Sequence, residues 1–180
     1  GAPIAGLSVL MLAERGLPLA SASVLNADLI LYYVDSLNFI FGLGFLLLAF
    51  LYGIYALHRD DRLHEGIATI FAGSAVAAVF SGDWLSLFIF WEIGLVPIYF
   101  LIRVWGGADR VYASFKFFIY TMAGSLGLLL SIQIIGIAAG TFDIPELYNV
   151  WVTMDPLVFA QRTGLSLSLV KSLAYWAFFI

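Results

Sequence analysis

The sequence predicts an all-α fold, a polytopic transmembrane helix bundle, and three observations carry that prediction. Of its 180 residues 63% are hydrophobic and 17% aromatic, where soluble domains are about 45–50% apolar. Only 11% are charged and the mean hydropathy is +1.02. Charge-free runs of membrane length also recur along the chain. A chain this apolar cannot dress a soluble globule with charge, nor stay solvated as a disordered coil. Because lipid offers the backbone no hydrogen-bond partner, a span must be a helix of about 20 residues or part of a closed barrel. Barrel strands would alternate apolar and polar residues over about ten positions, and these runs do not.

Four full spans follow, at about 37–57, 66–82, 84–102 and 117–142. The first and last carry no charge, the second is uncharged but rich in small residues, and the third carries only Glu92. Asp35 precedes the first span as a helix cap. Ser81-Gly82-Asp83 alone separates the second and third, which predicts a tight helical turn with Asp83 capping the next helix. Truncated helices are expected at both ends: the apolar run 1–13, where a signal peptide is the lesser alternative, and the run 172–180, which is too short to cross. The chain therefore reads as a single transmembrane domain, 1–180, that is either a fragment or has its hydrophobic ends completed by another chain.

Basic residues cluster in the first connection (Arg59, Arg62) and the third (Arg103, Arg110), and the connection after Phe142 is acidic. By the positive-inside rule the basic connections face the cytoplasm or its equivalent, and the Ser81–Asp83 turn and the acidic loop face the far side. His58 and His64 in the first connection read as a solvated face rather than as ligands. With no Cys, thiolate metal sites and iron–sulfur clusters are excluded. Eight basic residues scattered under a net charge of −4 exclude nucleic acid as a partner and leave the lipid bilayer.

Glu92 lies near the middle of its span. A central acid costs about 2.5–3.5 kcal/mol on insertion scales, against roughly 5 kcal/mol returned by the span's twelve Leu, Ile, Phe and Val residues. The helix inserts, but it carries a penalty that needs a reason. Low dielectric disfavours a charged carboxyl and a nearby ammonium restores it, so such a group can relay protons; a fixed ion pair holding helices together is the other reading. Pro97 and Gly94 favour a bend beside it, and Tyr99 shares its face. Lys116 either snorkels to the surface or turns inward to meet an acid. Ala123, Gly124, Ser125 and Gly127 allow close helix approach, and Ser131 and Gln133 could hold water or bond a neighbouring helix.

The stretch from Phe88 through Trp91-Glu92 and Pro97 to Ile102, then Val104-Trp-Gly-Gly107 and Lys116-Phe-Phe-Ile-Tyr-Thr121 with Gly124-Ser-Leu126, resembles subunit M, or chain 4, of proton-pumping NADH:quinone oxidoreductase. Further likeness lies in Val34-Asp35-Ser36-Leu37 and Gly140-Thr-Phe-Asp-Ile-Pro145, so it covers roughly residues 33–145 well. The resemblance implies an N-terminal-half fragment of an antiporter-like bundle in a respiratory complex, with other membrane subunits as partners and no cofactor in this chain. It makes Glu92 the essential mid-membrane glutamate and Lys116 a lysine lining the same interior, both as proton relays. The complex would be an enzyme, a translocase, with no redox chemistry in this chain. The family's partner lysine, on a broken helix beginning near Trp176, would follow Ile180, and Lys171 ahead of that helix is no substitute. Residence in an energy-converting membrane follows, most simply a bacterial inner membrane, with mitochondrial inner membrane or thylakoid as alternatives. A component of a sodium/proton antiporter and a non-catalytic helical scaffold are the rival readings.

Overall fold

The computed structural model describes residues 18–24, 27–58, 61–153 and 164–179. The expected helix at 1–13, Arg59 of the first connection, and Asp155 and Arg162 of the acidic one lie outside these residues. Among the described residues two strands come first, β1 (Pro18–Val24) and β2 (Ala27–Tyr33), paired antiparallel with Ser21 opposite Ile30 and Ala22 opposite Leu29. Six helices follow among these residues: α1 (Ser36–Ala56), α2 (Arg62–Val79), α3 (Trp84–Trp105), α4 (Arg110–Ala139), α5 (Ile144–Thr153) and α6 (Leu167–Phe179).

Each of the first three helices begins where a side chain satisfies its orphan N–H groups. Asp35 accepts from the backbone of Leu37 and Asn38 at 2.8 and 2.7 Å, and Asn38 completes a capping box by accepting at its Oδ1 from the Asp35 N–H. Asp61 caps α2 by accepting from the His64 N–H at 3.1 Å, and Asp83 caps α3 by accepting from the Ser86 N–H at 2.7 Å. α4 closes on Gly140, whose left-handed backbone (φ 80°) turns its N–H back to the Gly136 carbonyl.

Helices α1, α3 and α4 are long and apolar enough to cross a membrane; α2 is not, among the described residues. That revises the expected count of four. α2 starts at Arg62, so its 18 residues include a charged first turn, and they end at Val79 rather than 82. At about 27 Å it still nearly matches the hydrocarbon thickness, and it packs along α3 in a helical hairpin. The other bounds shift as well: α3 runs three residues past 102, and α4 begins seven before 117, reaching about 45 Å.

Successive helices pack on one another, α1 on α2, α2 on α3 and α3 on α4, with α6 against α4. Val34, Leu46 and Phe80 form one buried cluster, and Ala138 with Val170 the other. The outward faces remain apolar, with Phe41, Leu48, Ile70, Trp91 and Leu126 all exposed. That is the surface of a protein solvated by lipid or by further helices.

The β-hairpin is an addition to the all-helical expectation. It sits on the α2–α3 turn: the Tyr33 N–H donates to the Phe80 carbonyl at 2.8 Å and the Gly82 N–H to the Ile30 carbonyl at 2.9 Å.

Candidate functional site

The ends of the bundle set the depth of every polar residue within it. At one end, the Trp84 N–H donates to the Phe142 carbonyl and the Ile144 N–H to the Gly82 carbonyl, each at 3.0 Å. The α2–α3 turn and the acidic connection therefore share a side. At the other, the Trp105 indole donates to Asp61 Oδ2 at 2.6 Å and brings the first and third connections together. This is the alternation that the basic residues predict. Hydrogen bonds from the His64 backbone and the Trp105 indole hold the Asp61 carboxyl below its ordinary range.

Asp83 anchors the first end. It is 1% exposed and accepts from the Ser86 N–H, the Ser86 hydroxyl and the Ile30 N–H, so one carboxylate ties β2 to the start of α3. Its cap role was legible, but its role as a three-donor hub was not. The partner from β2 is 53 residues away in sequence.

From Trp84, its first residue, α3 carries Glu92 eight residues, or about 12 Å, into the bundle. Because α3 extends to Trp105, Glu92 lies on the Asp83 side of the helix centre, about 4 Å from the middle of a helix about 33 Å long. Its side chain is partly buried, and Oε1 is enclosed with no hydrogen-bond partner among the described residues. α2 comes close on a different face of α3. A Cβ on Gly94 would stand 2.8 Å from Ser74 Oγ, so the glycine permits that approach. Pro97 is buried on the same helix, which continues through it.

Tyr99 fixes the facing of α4. Its ring meets Phe118 at 5.6 Å between centroids, and the Arg103 guanidinium lies 6.0 Å from its centre. Glu92, two turns back on the Tyr99 stripe, is thereby level with Ser125 on antiparallel α4. The small residues Ala123, Gly124 and Ser125 border that level. Ser125 is buried and donates to the Met122 carbonyl, and Ser131 donates to that of Gly127, so both hydroxyls bond their own helix.

Lys116 stands elsewhere. It lies about nine residues, or roughly 14 Å, along α4 from the Glu92 level, towards the basic end. Its side chain is exposed, with Nζ 5.6 and 5.8 Å from the rings of Tyr112 and Tyr120 on the same helix. The fold does not bring Glu92 and Lys116 into contact. Lys171 is exposed within α6 rather than ahead of it, because the helix starts at Leu167. No grouping of three His, Asp or Glu side chains suited to a metal occurs among the described residues. An apolar groove of about 1060 Å³ opens between α1, α2 and α3, with Asp35, Asn38 and Ser81 at its polar end.

A helical membrane protein with an acid enclosed at depth is the class these features define. The family model for the transmembrane region of NADH:quinone oxidoreductase and Mrp antiporter proteins matches residues 81–178, and the chain belongs to that family. Within it the likeness is to subunit M and chain 4 proteins, as the sequence motifs indicate. The chain is 43% identical over 107 residues to F(420)H(2) dehydrogenase subunit M of Methanosarcina mazei, covering 56% of this chain and 21% of that one. It is 38% identical over 96 residues to NADH-quinone oxidoreductase subunit M of Rhodobacter capsulatus, covering 52% and 19%. It is also 39% identical over 79 residues to the chloroplastic NAD(P)H-quinone oxidoreductase chain 4 of Vitis vinifera, covering 44% and 16%. These alignments span about a fifth of each relative's length. Respiratory complex I from Thermus thermophilus with bound NADH contains a chain of the same fold, with a TM-score of 0.71 at 20% identity over 98% of this chain and 44% of that one.

Proposed function

We propose that this chain forms part of a proton-translocating membrane subunit in a quinone oxidoreductase complex, with Glu92 as the group that takes up and releases the proton. The enclosed, unpartnered Oε1 of Glu92, about 12 Å inside an apolar helix, is the observation that carries this reading. A buried carboxylate oxygen without a donor is costly, and the cost falls when the group is protonated or a cation approaches. A carboxyl so placed changes its proton affinity whenever a neighbouring charge moves. That is the property needed to couple redox events in other subunits to proton uptake on one side and release on the other.

Lys116 serves as a second relay in this reading. It is too far along α4 to pair with Glu92 directly, so protons pass between the two levels through water or further side chains. The relatives include an F(420)H(2) dehydrogenase subunit as well as NADH-linked ones, which fits a subunit indifferent to the electron donor. The other membrane subunits, and the flavin and iron–sulfur proteins, are its proposed partners. Its place is an energy-converting membrane, with the Asp61–Trp105 end facing the cytoplasm or its equivalent.

Infrared difference spectra of the working complex test the proton role. A protonated-carboxyl band that changes during turnover and vanishes in Glu92→Gln supports it, and identical difference spectra in both refute it. Because the family also includes Mrp antiporters, co-purification of flavin and iron–sulfur subunits with the tagged chain separates the two functions. Their absence would favour a cation/proton antiporter.

A further inference from the structure

One nitrogen of His64 has two partners that cannot both use it in the same way. The Tyr52 hydroxyl, near the end of α1, lies 3.3 Å from His64 Nδ1, and Glu65 Oε1 lies 3.3 Å from that same atom. An imidazole nitrogen with a free lone pair accepts from a hydroxyl, whereas one that carries hydrogen donates to a carboxylate. Neutral His64 with its hydrogen on Nε2 therefore ties α1 to α2 through Tyr52. The imidazolium always carries hydrogen on Nδ1, and its charge-assisted bond to Glu65 is about twice as strong as one to a hydroxyl.

The surroundings make the exchange orderly. Trp105 of α3 presents an edge-on contact to the imidazole at 4.9 Å and an interplanar angle of 87°, while its indole N–H holds Asp61. The titratable groups set around His64 are thus Tyr52 from α1, Glu65 beside it, and Asp61 behind Trp105. The His64 and Glu65 side chains are 16% and 21% exposed, so water reaches them.

The exchange acts on a lever. At the opposite end of the α1–α2 pair, Gly42 rests against the Phe80 ring so closely that a Cβ there would lie 2.0 Å from it. Tyr52 is ten residues, about 15 Å, further along α1. Between these two points the groove opens, walled by Phe41 and Phe45 of α1 and Phe71 and Ala75 of α2. We infer that His64 is a proton-operated latch: Tyr52 holds α1 against α2 when the imidazole is neutral, and protonation moves the His64 bond to Glu65 and lets α1 swing about Gly42, widening the groove. This does not depend on Glu92 carrying protons.

Spin labels on unnatural amino acids at positions 57 and 70, exposed on α1's end and on α2, read the swing in the full-length protein within its assembled complex. Position 57 lies about 23 Å along α1 from Gly42, so a turn of about 20° carries its label by about 8 Å away from α2. We expect the short distance at pH 8 and the longer one at pH 5, the longer one at both pH values in Tyr52→Phe, and the short one at both in Glu65→Gln. Both substitutions keep the shape of the side chain. A wild-type distance that ignores pH, a Tyr52→Phe protein that stays short, or a Glu65→Gln protein that lengthens like the wild type overturns the latch.

Discussion

The Ile30 N–H donates to Asp83 Oδ2 at 2.6 Å, and this bond fastens the β-hairpin to the cap of the helix that carries Glu92. It joins a segment outside the spans to the start of α3, so the depth and rotation of Glu92 are set by a buried polar contact rather than by lipid-facing side chains. The remaining Asp83 acceptors are taken by Ser86, and all three donors converge on a carboxylate that water barely reaches.

Asp83→Ala removes the cap and leaves the Ile30 and Ser86 donors without their acceptor. Lost caps cost about 0.5–2 kcal/mol and buried unsatisfied donors about 1–3 kcal/mol each, so a loss of about 3 kcal/mol is expected. Asp83→Asn keeps one acceptor oxygen and loses less. Equilibrium unfolding in mixed micelles measures both, and an Asp83→Ala protein as stable as the wild type would remove Asp83 as the anchor.

Gly94 and Ser74 form a testable pair. Gly94→Ala places a methyl 2.8 Å from Ser74 Oγ but 3.8 Å from its Cβ, so the clash is with the hydroxyl alone. Overpacking of this kind costs about 1–3 kcal/mol. In the Gly94→Ala, Ser74→Ala double variant most of that loss is recovered, giving a coupling of about 1 kcal/mol in a double-mutant cycle. Additive losses would mean that α2 and α3 do not meet there.

Asp61 gives the fold an acid-sensitive contact at its basic end. Its carboxyl is lowered in the folded chain by the His64 and Trp105 hydrogen bonds. The stabilisation is therefore complete above the ordinary Asp value of about 3.9 and fades below it, as pH falls through the lower folded value. Melting temperatures of wild type and Asp61→Asn should differ at pH 6 and converge towards pH 3. A constant difference across that range contradicts the assignment.

Lys116→Met should slow proton translocation severalfold, less than loss of Glu92 does. If both residues serve one path, the double variant is no worse than Glu92→Gln alone, because groups that act in sequence are not additive. Proton uptake by reconstituted vesicles decides this, and unchanged rates in Lys116→Met would remove it from the path.

What was legible in the sequence follows from the range over which each signal acts. Asp35 and Asp83 were readable as caps because a cap needs only its own next three residues. The apolar runs marked α1, α3 and α4 because membrane insertion is decided by local composition, and Glu92 stood out because a charge within such a run is costly. The β-hairpin was missed although Leu29-Ile-Leu-Tyr-Tyr33 is rich in strand-forming residues and Ala20-Ser-Ala-Ser23 repeats with period two. That signal is short, and the hairpin is held by partners at Phe80, Gly82 and Asp83, about 50 residues on. The extra turns of α4 ahead of 117 were hidden by Arg110 and Lys116, charges that end the uncharged run without ending the helix. No sequence pattern reveals that Tyr52 and Glu65 share a single His64 nitrogen, since that depends on how α1 returns beside α2.

Proton translocation by the intact complex carrying Glu92→Gln is the most direct trial of the central claim. Reconstituted in sealed vesicles and driven by its electron donor, the assembled variant should move protons at least tenfold more slowly than wild type. Wild-type proton movement in that variant would contradict the account.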